Sequence, residues 1–174
     1  MAEMRTYKSV TLDYFDTNSL SWPVEIELDC TPDQLFDSFE DPVSWTIWAG
    51  AIKHVEWTSP KPFGPGTTRT VTMVGGGVGE EVFFVWERGK RMAFHFTRGN
   101  LPIETFAEDY LVTDLGNGRC KLRWTVSLTP TGIQKYTMPL FSPMMGFFLG
   151  RMMKSLQRYI AKQNLTAPVA AAAE

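Results

Sequence analysis

The 174-residue chain is 44% apolar and 21% charged, a make-up that fits one soluble domain with a substantial core. Its 17 Lys and Arg against 19 Asp and Glu leave a net charge of −2. That excludes a general nucleic-acid binder, which needs a basic surface to neutralise phosphates.

Residues 1–20 read as an N-terminal extension, with residues 7–13 a candidate edge strand and no apolar stretch of the kind a secretory signal needs. Val24-Glu25-Ile26-Glu27-Leu28 alternates with period two, the pattern of a half-buried strand. Thr31-Pro32-Asp33 then starts a short helix. Thr31 accepts from free N–H groups, Pro32 suits the first turn, and Asp33 complements the dipole. Leu35, Phe36 and Phe39 form its buried stripe. A second short helix over residues 43–48 brings Trp45 close to Trp48, either to anchor the small helices on a sheet or to gate a cavity.

From residue 51 the pattern changes to strands divided by turns. Val55 and Trp57 share a face before Ser59-Pro60, and residues 67–74 are rich in β-branched side chains. A five-residue stretch, Gly75-Gly76-Gly77-Val78-Gly79, resembles a phosphate cradle in composition. It lacks the following Lys-Ser/Thr and opens no helix, so it reads as a hairpin. Residues 80–86 and 91–96 follow, the latter with Met92, Phe94 and Phe96 opposite His95. Gly116-Asn117-Gly118 joins residues 105–115 to 119–128. In the last strand Leu122, Trp124, Val126 and Leu128 point one way and Lys121, Arg123, Thr125 and Ser127 the other, so core is expected on one face and water on the other.

The chain closes on a helix of unusual greasiness. Between Met138 and Met153 only Arg151 is charged, and Phe141, Met145, Phe148, Leu149 and Met152 recur at helical spacing. The uncharged run from 136 to 150 is shorter than the roughly 20 residues a spanning helix needs. It also holds Pro139, Pro143, Gly146 and Gly150, so no integral membrane segment is expected. The order is strand, two short helices, about six antiparallel strands and one long helix. This is an α+β chain with one domain over residues 21–164, and residues 165–174 are expected to be a disordered tail. Cys30 and Cys120 are too few and too scattered for a disulfide scaffold, so a reducing, cytoplasmic setting is expected. His54 and His95 are isolated, so no metal or other cofactor is expected.

Several stretches resemble the START-like, or SRPBCC, superfamily of polyketide cyclases and dehydrases and lipid-transport proteins. They are the Thr31-Pro32-Asp33, Leu35-Phe36-Asp37 and Asp41-Pro42 run with Trp45 and Trp48, then Trp57-Thr58-Ser59-Pro60 and Gly66-Thr67-Thr68-Arg69. Arg88-Gly89-Lys90-Arg91-Met92-Ala93-Phe94 and the closing Met153-Lys154-Ser155-Leu156-Gln157-Arg158-Tyr159-Ile160 complete the match. The resemblance covers residues 23–162. It implies a helix-grip fold, a curved antiparallel sheet of six or seven strands wrapped around the C-terminal helix with an apolar cavity between them. Functional residues differ among subfamilies, so fold carries over and mechanism does not.

On strand parity the wall of that cavity comprises Trp57, Met73, Met92, Phe94, Phe96, Phe106, Tyr110 and Trp124. The helix adds Phe141, Met145, Phe148, Leu149 and Met152. Glu108 and Tyr110 share a parity with Phe106 and Val112. If that face is inward, Glu108, Tyr110 and Arg69 form a carboxylate–phenol–guanidinium cluster able to orient an oxygen-bearing apolar ligand or to move a proton. The opposite parity turns Ala107, Asp109 and Leu111 inward. Three functions are open: a carrier for a hydrophobic small molecule such as a lipid or polyketide, a cyclase or dehydratase using the same cavity, and an interaction module using the Met/Phe-rich helix. A homodimer is compatible with all three.

Overall fold

In the computed structural model, which describes residues 3–166, the three longer helices lie on the inner face of one curled antiparallel sheet. The elements are β1 (Arg5–Thr6), α1 (Tyr14–Thr17), β2 (Ser21–Leu28), α2 (Pro32–Glu40), α3 (Pro42–Trp48), β3 (Ile52–Trp57), β4 (Thr68–Met73), β5 (Val78–Glu87), β6 (Arg91–Gly99), β7 (Ile103–Gly116), β8 (Arg119–Pro130) and α4 (Gln134–Thr166). The strand order is β2-β8-β7-β6-β5-β4-β3, and β1 pairs with the end of β6. β2 and β3 are therefore the two edges, and α2 and α3 carry the chain from one to the other. This is the helix-grip arrangement, with seven strands in the main path.

Local chemistry accounts for the turns and caps. Thr31 Oγ1 accepts from the Gln34 backbone N–H at 3.2 Å, and Gln34 Oε1 accepts from the Thr31 N–H at 2.9 Å, a reciprocal cap that starts α2. Leu35, Phe36 and Phe39 are buried as a stripe. Asn117 and Gly118 turn the β7–β8 hairpin at φ of 53° and 72°, the left-handed pair that a two-residue hairpin requires. β2 alternates as expected. Val24 and Ile26 pack on the core, while Glu25 and Glu27 meet Lys121 and Arg119 across the β2–β8 ladder.

The outer face of the sheet differs from expectation. Thr125 and Ser127 of β8 are buried, as are Thr105 and Asp109 of β7 and His95 of β6. Part of the cover is the N-terminal segment. Val10, Leu12, Tyr14 and Phe15 pack with Ala93 and Ala107 across the convex side, and the Tyr14 hydroxyl meets Thr129 Oγ1 at 2.8 Å. Residues 7–13 form no strand; among the described residues the N-terminal strand pairing is at Arg5 and Thr6. Tyr7 fastens the segment by donating to the Leu101 carbonyl at 3.0 Å and accepting from its N–H at 2.8 Å.

Cys30 and Cys120 are buried free thiols with sulfurs 3.9 Å apart. Among the described residues no helix is long and apolar enough to cross a membrane. α4 runs through residue 166, and the rest of the expected tail lies outside the described residues.

Candidate functional site: an apolar cavity with a buried polar cluster

Between the sheet and α4 lies a cavity of about 320 Å³. Phe94, Phe96, Phe106 and Trp124 line it from the central strands, and Met73 from β4. Met145, Phe148, Leu149 and Met152 line it from α4. Trp45 and Trp48 of α3 close another side, so the two tryptophans do more than anchor their helix. Gln134 and Met138 complete the α4 contribution.

Two residues expected in the wall lie elsewhere. Trp57 stacks on Phe63 with ring centroids 4.2 Å apart and donates from Nε1 to the Glu40 carbonyl at 3.1 Å. Met92 is fully buried but outside the lining. The side chain of Phe141 lies outside the described structure.

The polar groups of the wall gather in one cluster. Register decides the open parity. Tyr110 pairs with Trp124 and Glu108 with Val126, so Glu108 and Tyr110 face inward and Asp109 faces out to Arg91 at 2.8 Å. The Tyr110 hydroxyl and Trp124 Nε1 both donate to Glu108 Oε2, the indole at 3.0 Å.

Arg69 also faces the cavity, yet its ion-pair partner is Glu81, directly opposite across the β4–β5 ladder. Strand parity alone misses Glu81, because a hairpin closing anywhere in a five-residue glycine-rich run leaves the register open. The Arg69 guanidinium sits over the Trp45 ring at 4.2 Å, the Phe94 ring at 4.9 Å and the Phe83 ring at 5.1 Å. Aromatic faces attract such a cation in the absence of water. Two donors remain unspent, for Arg69 Nη1 and Trp48 Nε1 are buried with no hydrogen-bond partner among the described residues.

Burial dominates the protonation of the cluster. It pushes the Glu81 carboxyl up to about 7, with Arg69 pulling back and Glu108 pushing further. Glu108 is raised by burial too, against the donors and the cation that favour its charged form. Tyr110 is held well above its ordinary range by burial and by the neighbouring carboxyl, so it stays a donor. Burial thus favours the protonated form of Glu108, against the two donors and the Arg69 cation that favour the charged one. Among the described residues, no three His, Cys, Asp or Glu side chains are grouped to hold a metal ion.

These shifts fix a sign for stability against pH. A carboxyl with a raised folded pKa binds its proton more tightly in the native state, so its contribution is full below the unfolded value and is lost as pH rises through the folded one. For Glu81 that window runs from 4.5 to about 7, and Glu108 acts in the same direction. The wild-type melting temperature minus that of Glu81→Gln is therefore expected to fall between about pH 5 and pH 7, by about 2–4 °C for each kcal/mol lost. Thermal melts of both proteins across that range check it. A difference that stays level or rises contradicts the assignment.

Comparison with known proteins agrees with this architecture. An uncharacterized protein of Mycobacterium tuberculosis is 40% identical over 151 residues, covering 86% of this chain and 90% of the relative. A START superfamily protein from Mycobacterium smegmatis superposes with a TM-score of 0.70 at 12% identity, over 82% of this chain and 98% of its own. A Thalictrum norcoclaurine synthase point mutant, solved with a transition-state analogue, superposes at 0.57 with 17% identity, over 83% and 95%. At such identities the two structures show a shared fold. The model of the family described as polyketide cyclase/dehydrase and lipid transport matches residues 21–167, and the chain belongs to that family.

Proposed function

We propose that the protein binds a hydrophobic small molecule, a lipid, polyketide or similar compound with an oxygen acceptor on it, and serves as its carrier. The observation that carries this reading is the apolar cavity between the sheet and α4, whose polar lining residues include Arg69, Glu81, Glu108 and Tyr110. A ligand oxygen that meets the Glu108–Tyr110 pair adds a polar contact, while its apolar body fills the remainder of the cavity. The volume lies at the low end of the roughly 300–1,000 Å³ of ligand pockets.

Native mass spectrometry of protein purified from its own host tests the proposal. A recurrent apolar adduct on the wild type is expected. Val126→Phe, which adds a ring at a cavity-lining position, is expected to lower adduct occupancy at least about tenfold, or 1.4 kcal/mol. Protein that is persistently empty at high purity overturns it.

A second reading, acid–base catalysis of the cyclase or dehydratase kind, is favoured by one observation. Glu108 is a carboxyl raised by burial and facing the cavity, as a general acid must be. Glu108→Gln separates the two readings, since it weakens a carrier's grip but abolishes an enzyme's turnover of the bound compound. Unchanged binding in both Glu108→Gln and Tyr110→Phe removes the polar cluster from either reading.

A further inference from the structure

α4 contains no acidic residue, yet it carries Lys135, Arg151, Lys154, Arg158 and Lys162 in a chain of net charge −2. Elsewhere several cations are matched by acids, as Arg88 is by Asp33, Asp37 and Glu40, and Arg119 by Glu27 and Asp29. Among the described residues no acid pairs with Arg151, Lys154 or Arg158.

The placement of these cations is as telling as their number. Ile133, Tyr136, Leu140, Met144 and Phe147 recur at three- and four-residue steps and are 62–79% exposed. The same steps continue through Arg151, Lys154 and Arg158. One outward line therefore runs along the helix, apolar for its first part and cationic for the rest. On the opposite side Met145, Leu149 and Met152 line the cavity. Phe148 belongs to both, lining the cavity while 46% exposed.

We propose that this line docks the protein peripherally on an anionic lipid bilayer. The apolar side chains seat at the boundary between headgroups and acyl chains, and Arg151, Lys154 and Arg158 rest against lipid phosphates. A second copy of the chain satisfies only half of the line. Two apolar parts can cover one another, but the cationic parts then meet no acid, because the helix has none. An anionic surface satisfies both parts together. Docking does not depend on what the cavity holds.

Vesicle flotation of the full chain tests this. Binding is expected to an equal mixture of phosphatidylcholine and phosphatidylglycerol, weakening as salt is raised, with little binding to phosphatidylcholine alone. The triple variant Arg151→Gln/Lys154→Gln/Arg158→Gln should lower partitioning about a hundredfold. Leu140→Glu/Phe147→Glu should abolish it with an unchanged circular dichroism spectrum, since both side chains are exposed. Val126→Phe should float as the wild type does, which keeps failure here distinct from failure of the ligand reading. The proposal is overturned by absent binding to the mixed vesicles, or by binding indifferent to both sets of substitutions. It is equally overturned by a dimer that Leu140→Glu/Phe147→Glu dissolves in the absence of vesicle binding.

Discussion

Arg69→Met is expected to destabilise the fold by about 3–5 kcal/mol, measured by urea unfolding against the wild type. The loss comes less from the ion pair itself than from what remains. Glu81 is 3% exposed and, among the described residues, pairs with Arg69 alone, so removing the guanidinium strands a carboxyl in an apolar interior. The double variant Arg69→Met/Glu81→Leu should recover most of the loss, because it removes both desolvated groups and leaves packing of similar volume. A double variant as unstable as the single one would show that the aromatic contacts of Arg69, not its charge pair, hold the site together.

The second large effect is expected at Trp45. It is buried among Phe39, Trp48 and Tyr110, with ring centroids 5.7, 4.9 and 5.9 Å away, and it donates from Nε1 to the Phe39 carbonyl at 2.8 Å. Trp45→Ala should cost about 3–5 kcal/mol, as large-to-small core changes do, and should widen the cavity on the side of α3. Because Arg69 lies on this ring, the two substitutions are expected to be non-additive. Their combined cost should fall short of the sum by about 0.5–3 kcal/mol in a double-mutant cycle. Simple additivity would mean that the stacked cation contributes nothing to stability.

The parts of this architecture that were legible in the sequence are those that local rules govern. Thr31-Pro32-Asp33 announced α2, Asn117-Gly118 announced the β7–β8 turn, and alternation in β2 and β8 placed Ile26, Trp124 and Val126 on the core face. The elements came out in the right order because each carries its own period and its own stop signal.

What escaped depended on register or on contacts far apart in the chain. Glu81 was hidden by the glycine-rich hairpin before it. Trp57 has the parity of the wall, but Phe63 and Phe83 claim its ring. The burial of Ala107 and Thr125 on the outer side was illegible because Leu12 and Phe15 lie beside them, where a four-residue helix is too short to show a period. The apolar stretch of α4 was plain in sequence. Its division into a cavity side and an outward side needed the sheet to be in place.

The N-terminal segment has a practical consequence for where a shortened chain is cut. Similarity to the family starts at residue 21, and a gene fragment cut there would retain every strand of the main path. It would also lay bare Ala93, Ala107, Phe84 and Val85, the strip that Val10, Leu12 and Phe15 now shelter, and turn a quiet outer surface into one prone to self-association. The family match and the segment that covers this strip thus start at different residues.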